Sequence, residues 1–209
     1  MHILIKKAGG LMKRIIPKTF DFTNVKHISA AQLSQHYNLY LKYIESLNKV
    51  NDNLEMNNMY SNCNANYSPI RSAQKSTTFC LDSIKLHELY FENLTGNNNI
   101  IYGNIEKIIN STFGSYNNFM EKFKCIALSM RGWVTFSYDL YHDDYFIYGQ
   151  DSHDDGVVLC AKPIIVLDVY EHAYMIDYGI NRSKYIDVFF ENLDYGIVNK
   201  RISNTLNMI

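Results

Sequence analysis

The feature that most constrains this chain is a change of hydrophobic period near residue 131. Before it, apolar residues recur at helical spacing; after it, they alternate or cluster as they do in strands. Over residues 28–48, Leu33, His36, Tyr37, Tyr40, Ile44 and Leu47 share one face, and Ser29 followed by Gln32 predicts a capping box. Residues 51–66 are rich in Asn and poor in apolar side chains, so they read as a loop. A second helix is expected over 76–93, broken by Thr95-Gly96 and the run Asn97-Asn98-Asn99. Further helices are expected over 102–111 and 115–130, the latter with Phe119, Phe123 and Ala127 on one face, Cys125 and Met130 beside it. Trp133–Tyr138 and Tyr145–Tyr148 then read as a hairpin around Leu140–Asp144, and Ile164–Val169 as a dense β-branched strand. Helical material closes the chain at 171–178 and 183–195.

This order is an α+β plan with an all-helical N-terminal half. The break after residue 95 divides it into a basic N-terminal segment (1–20), a helical hairpin domain (21–95) and a C-terminal α/β domain (96–209). With 209 residues, 47% of them hydrophobic and 17 of them Tyr, the chain has ample material for a core. No apolar run reaches the roughly 18 residues of a membrane-spanning helix. A net charge of −1 argues against a general polyanion binder. The charge is uneven, however: Lys6, Lys7, Lys13, Arg14 and Lys18 all precede the first acid, Asp21. Such a start fits a mitochondrial-type targeting segment, a basic arm that touches nucleic acid, or an ordinary solvated tail. Cys63, Cys80, Cys125 and Cys160 lie far apart with no Cys-x-x-Cys pair, so they read as reduced thiols, mostly packed in the core.

The sharpest chemical feature is Asp168-Val169-Tyr170-Glu171-His172, a carboxylate and an imidazole four residues apart at the end of an apolar strand. Asp-x-x-x-His is common by chance. His36 and His87 each lie on the apolar stripe of a helix, where a histidine is more often a satisfied core residue than a ligand. Three histidines and one aspartate brought together would make an N3O site suited to a redox-active iron or manganese ion.

These residues carry a resemblance. Residues 168–198 resemble the iron/manganese superoxide dismutase family, whose signature is Asp-x-Trp-Glu-His-Ala followed by two aromatics; here Asp168, Glu171, His172, Ala173 and Tyr174 match, with Tyr170 for Trp and Met175 for the second aromatic. HISAAQLSQHY (27–37) and LHELYFENL (86–94) resemble the family's two ligand helices, and GWVTFSYD (132–139) its Gly-Trp-x-Trp-Leu strand, keeping Trp133 and losing the second Trp to Thr135. The resemblance spans about residues 20–200. It implies the family's fold, with a three-stranded antiparallel sheet in the C-terminal domain. It also implies one iron or manganese ion per subunit, held by His36, His87, Asp168, His172 and a solvent molecule. The implied substrate is superoxide. Arg182 sits where the family keeps an arginine, and Glu171 would bond the partner subunit's His172 across a two-fold interface that includes Tyr174. The subunits would pair as a homodimer, or as a heterodimer with a related subunit.

The departures concern the residues around the ligands. The family places a Gln against the metal-bound solvent, either four residues before the second ligand, here Ser83, or from the hairpin region, where His153 takes its place. A solvated loop histidine is the other reading of His153. The family's gateway His and Tyr stand four and eight residues after the first ligand; here Tyr40 stands at the first position, and Tyr43 matches the second only with a one-residue deletion. Two functions follow from the resemblance. One is an active superoxide dismutase of the mitochondrial matrix, with Tyr43, His153, Arg182 and Trp133 around the metal. The alternative is a noncatalytic relative serving a large assembly such as the mitochondrial ribosome, its basic N-terminus against ribosomal RNA.

Overall fold

The structure, a computed structural model, describes residues 12–54 and 56–206. Most of the expected basic segment, including Lys6 and Lys7, lies outside the described residues. From Met12 onward the chain is built against the first helix: Ile15 is held by Asn48, and the Lys18 N–H donates to the Tyr40 hydroxyl at 2.9 Å.

Helix α1 (Ala30–Leu54) runs six residues past its expected end. Asn51, which reads as a loop residue, lies on its buried stripe together with Asn48. Ser29 caps it, accepting from the Gln32 N–H at 3.1 Å, but Gln32 does not close the expected capping box. Its amide reaches instead to the far end of the chain. Helix α2 (Pro69–Asn93) starts seven residues early because Pro69 fits its first turn and the Ser68 hydroxyl accepts from the Arg71 N–H. Between them is a 3₁₀ turn, Asn57–Tyr60. The two helices form the expected hairpin.

Helices α3 (Asn104–Phe113) and α4 (Tyr116–Ser129) follow, separated by Gly114 in the left-handed conformation and capped by Ser115. Strands β1 (Trp133–Asp139), β2 (Asp144–Gln150) and β3 (Ala161–Asp168) form an antiparallel sheet in the order β2-β1-β3. Central β1 is buried from Trp133 to Tyr138, because helices cover both faces. The expected helix at 171–178 is a 3₁₀ turn, Glu171–Ala173, and a four-residue helix α5 (Met175–Tyr178). Helix α6 (Arg182–Asn192) ends earlier than expected, and a further helix α7 (Tyr195–Leu206) follows. The signal for α7 was Asp194, whose carboxylate accepts from the Gly196 and Ile197 N–H groups at its start.

The core is continuous across the expected boundary at 95–96. Gly96, at φ +72°, packs so closely that a Cβ would fall 1.9 Å from the Asn24 carbonyl oxygen, and its N–H donates to Asn192 O. Phe119, Phe123 and Phe136 are fully buried, and truncating Phe123 to Ala would cost about 3–5 kcal/mol. The cysteine expectation needs correction: all four are free thiols, but only Cys80 is buried.

Candidate metal centre

Strand β1 begins where its neighbours end, with Trp133 in register with Asp168 of β3 on one side and Gln150 of β2 on the other. Gly132 permits this junction. A Cβ there would lie 2.8 Å from the Gln150 carbonyl oxygen, which instead accepts the Gly132 N–H. Asp168 therefore leaves the sheet at one end facing α1 and α2, and the segment after Gln150 returns His153 to the same place.

Helix α1 contributes His36, α2 contributes His87, and the turn after β3 contributes His172. One ligand atom from each, with one from Asp168, lies within 4.8 Å of the others, so the four could hold one metal ion. Nε2 of His36, His172 and His87 lies 3.0, 3.1 and 3.8 Å from the same Asp168 oxygen, Oδ2. His36, His87 and Asp168 are sealed from solvent, whereas the His172 side chain is 28% exposed, so the cluster opens on that side.

Partners fix the proton on His87. Its Nδ1 lies 2.7 Å from the Ser83 carbonyl, which can only accept, so Nδ1 carries the hydrogen. Nε2 is then a buried lone pair with no partner. Such an orphan costs about 1–3 kcal/mol, and a cation within the cluster would satisfy it. Burial lowers His36 and, still further, His87 from the ordinary imidazole value. Burial pushes the Asp168 carboxyl up, but the adjoining His172 and His36 outweigh it and hold the group below the usual carboxylate range. The donors are thus three imidazole nitrogens and an ionised carboxylate, a set that fits iron or manganese.

His153 sits beside this cluster, its ring centroid 5.7 Å from that of His87 and 4.7 Å from that of Phe79. The indole N–H of Trp133 donates to His153 Nδ1 at 2.9 Å. The His153 proton therefore belongs on Nε2, which lies 3.0 Å from the Tyr43 hydroxyl. Burial lowers His153 to about 4, and burial aided by the Asp168 charge raises Tyr43 to about 12. Both stay neutral across the physiological range. Tyr170, at the signature's Trp position, stacks on His172 with ring centroids 5.0 Å apart.

In chain-wide comparison, the family described as iron/manganese superoxide dismutases, C-terminal domain, matches residues 101–201. The iron superoxide dismutase of Aquifex pyrophilus is 32% identical over 187 residues, covering 88% of each chain. The chain belongs to the iron/manganese superoxide dismutase family. A superoxide dismutase of Rickettsia typhi named for manganese or iron is 33% identical over 180 residues, covering 84% of this chain and 79% of its own. Manganese superoxide dismutase 1 of Halobacterium salinarum is 28% identical over 182 residues, covering 86% and 89%.

Among the other residues singled out in the sequence, the rings of Tyr43 and Tyr40 both lie near His87, at 5.5 and 6.4 Å between centroids, but only the Tyr43 hydroxyl turns toward His153. Tyr40 is fully buried, and its hydroxyl meets Glu88 and the Lys18 N–H. Leu39, one residue before it, lines a cavity with Gln35, Lys42, Glu171 and His172. Arg182 lies farther along the turn, donating to the Tyr174 hydroxyl at 3.1 Å and the Met130 carbonyl at 2.7 Å. Glu171 is exposed, Tyr174 is buried within its own chain, and Met175, Ile176 and Ile180 stand exposed beside them. Sequence reasoning missed Gln32, Lys42 and the pair Tyr90–Tyr185, whose residue types carry no motif of their own.

Proposed function

We propose that the protein is a superoxide dismutase whose mononuclear iron or manganese ion, one per chain, is held by His36, His87, Asp168 and His172. The single observation that carries this is the buried, partnerless Nε2 of His87 facing three other ligand atoms. When bound, the ion supplies alternation between +3 and +2, so that two superoxides and two protons become one dioxygen and one hydrogen peroxide. The chain's own residues do the rest. Trp133 fixes the tautomer of His153, which presents its Nε2–H toward Tyr43 at the site. Tyr43 holds a proton on its hydroxyl oxygen up to about pH 12, next to the place where peroxide must acquire protons. Lys42, lining the cavity at His172, and Arg182 beyond Glu171 supply positive charge for an approaching anion.

The exposed Glu171, Met175, Ile176 and Ile180 support a two-fold homodimer through this face. Sedimentation should show a dimer that Glu171→Ala weakens; a monomeric wild type would exclude it. The acid-free start of the chain supports a mitochondrial matrix location, which imaging of a C-terminally tagged chain would test. A structural subunit bound to RNA through the basic segment has less support. Arg14 is paired with Asp52, and Lys18 with Glu88 and Glu92.

The deciding experiment measures superoxide decay per bound iron or manganese, beside His172→Ala. Rapid decay that the variant loses is expected. A fully loaded wild type that leaves superoxide decay unchanged would refute the enzymatic reading.

A further inference from the structure

Among the described residues, four side-chain amides each grip a distant backbone segment with both ends. Asn199 holds the start of α3, its Oδ1 3.0 Å from the Ile105 N–H and its Nδ2 2.9 Å from the Tyr102 carbonyl. Asn192 holds Lys26, its Oδ1 2.7 Å from the Lys26 N–H and its Nδ2 2.8 Å from the carbonyl. Asn48 holds Ile15 in the same way, with both bonds at 3.0 Å. The fourth is Gln32, whose Nε2 donates to the His172 carbonyl at 2.6 Å and whose Oε1 accepts the Ile176 N–H at 3.0 Å. Of the four, Gln32 alone grips a ligand residue. It is 1% exposed and lies one helical turn before His36 on the same face of α1.

The segment it holds cannot hold itself. His172 sits in a three-residue 3₁₀ turn followed by the four-residue α5, and neither start has a side-chain cap. Helical pieces this short lack the cooperativity to fix their own shape. A second tie, the Ser29 N–H to Asp177 Oδ2 at 2.6 Å, also comes from the start of α1.

We propose that Gln32 is a positioning residue of the metal centre: by clamping the His172 and Ile176 main chain it sets the His172 imidazole against His36. This rests on the reading that the cluster holds a metal ion. Gln32→Leu is compared with Asn48→Leu, which removes an amide clamp of the same kind from the same helix away from the ligands. Three measurements are made: amide exchange over 170–178 in metal-free protein, iron or manganese release to EDTA, and the visible and paramagnetic resonance spectra of loaded protein. Gln32→Leu should raise exchange in that segment, release metal about tenfold faster and alter the spectra. Asn48→Leu should lower the thermal midpoint comparably and change none of the three. If Gln32→Leu does not fold, Gln32→Glu carries the same test, since it keeps the acceptor for Ile176 and loses the donor to His172. A loaded wild type with a Gln32 variant that keeps its metal and spectrum overturns this proposal alone. Equal changes in Asn48→Leu overturn it too. A wild type that takes up neither metal overturns the functional reading, and this inference with it.

Discussion

Behind Asp168 lies a buried hydroxyl pair that makes a quantitative test of how the site is held. The Tyr185 hydroxyl donates to the Asp168 carbonyl at 2.8 Å and lies 3.0 Å from the Tyr90 hydroxyl, with all three residues fully buried. Tyr185 has one proton, and a carbonyl can only accept, so that proton goes to Asp168 and Tyr90 supplies the other. Tyr185→Phe then strands two buried groups, the Asp168 carbonyl and the Tyr90 hydroxyl, at a cost of about 3 kcal/mol. Tyr90→Phe removes only a donor, leaves the Tyr185–Asp168 bond in place, and costs about 1 kcal/mol. In the double variant the Tyr90 orphan is gone and the carbonyl alone is unsatisfied, for about 2 kcal/mol. The singles sum to about 4 kcal/mol against about 2 for the double, a coupling of about 2 kcal/mol. Urea unfolding of metal-free protein, followed by the emission of the single tryptophan, Trp133, would measure all four corners. The double variant should be at least as stable as Tyr185→Phe. Additive costs within about 0.5 kcal/mol would refute this proton assignment.

Stability of the metal-free protein should fall as pH falls from about 6.5 toward 4. Burial lowers His153 to about 4 when folded, against about 6.5 for an ordinary imidazole, so between those values the unfolded chain binds the extra proton. The loss attributable to it reaches roughly 3 kcal/mol by pH 4, and His153→Gln should flatten the thermal-midpoint profile over that window; an unchanged slope would contradict the assignment. Saturating iron or manganese at about a thousand times its dissociation constant should stabilise the fold by about 4 kcal/mol, raising the thermal midpoint by roughly 8–16 °C. Equal midpoints with and without metal would argue against a folded-state site. Lys42→Glu should slow superoxide decay roughly two- to fivefold at low ionic strength, the gap closing above about 0.15 M salt. A salt-independent difference would mean Lys42 acts by contact rather than steering.

The convergence of the four residues that could hold a metal was legible because each lies in a local pattern: two on apolar helical stripes, two bracketing a strand end. Those patterns describe one element at a time. They failed for polar residues that the tertiary fold buries: Asn51 continues α1 although it reads as loop, because it lies on the buried stripe. Gln32 looked like half of a capping box, yet its partners are 140 and 144 residues away. Helix α7 went unread because its start depends on a single carboxylate, Asp194, and its apolar positions, Val198 and Ile202, are sparse. Spacing alone matched Tyr43 to the gateway tyrosine only with a one-residue deletion; the rotation of α1 places its hydroxyl against His153.

Ordinary residue types explain why the supports of the site are the least legible part, and also why they matter. A carboxylate and three imidazoles packed within 4.8 Å do not hold that arrangement by mutual attraction when two of the imidazoles are driven neutral by burial. Three of the four clustered residues are tied by a partner outside the cluster: His87 through its ring to the Ser83 carbonyl, Asp168 through its carbonyl to Tyr185, and His172 through its carbonyl to Gln32. His36 has the two-helix hairpin itself, wedged by ring contacts with Tyr90 and Phe91. Each tie fixes geometry without adding charge, so the donor set is organised by the fold before any cation arrives. The ties are made by a main-chain carbonyl, a tyrosine and an amide, none of which announces a metal site in sequence, whereas the ligands they serve do.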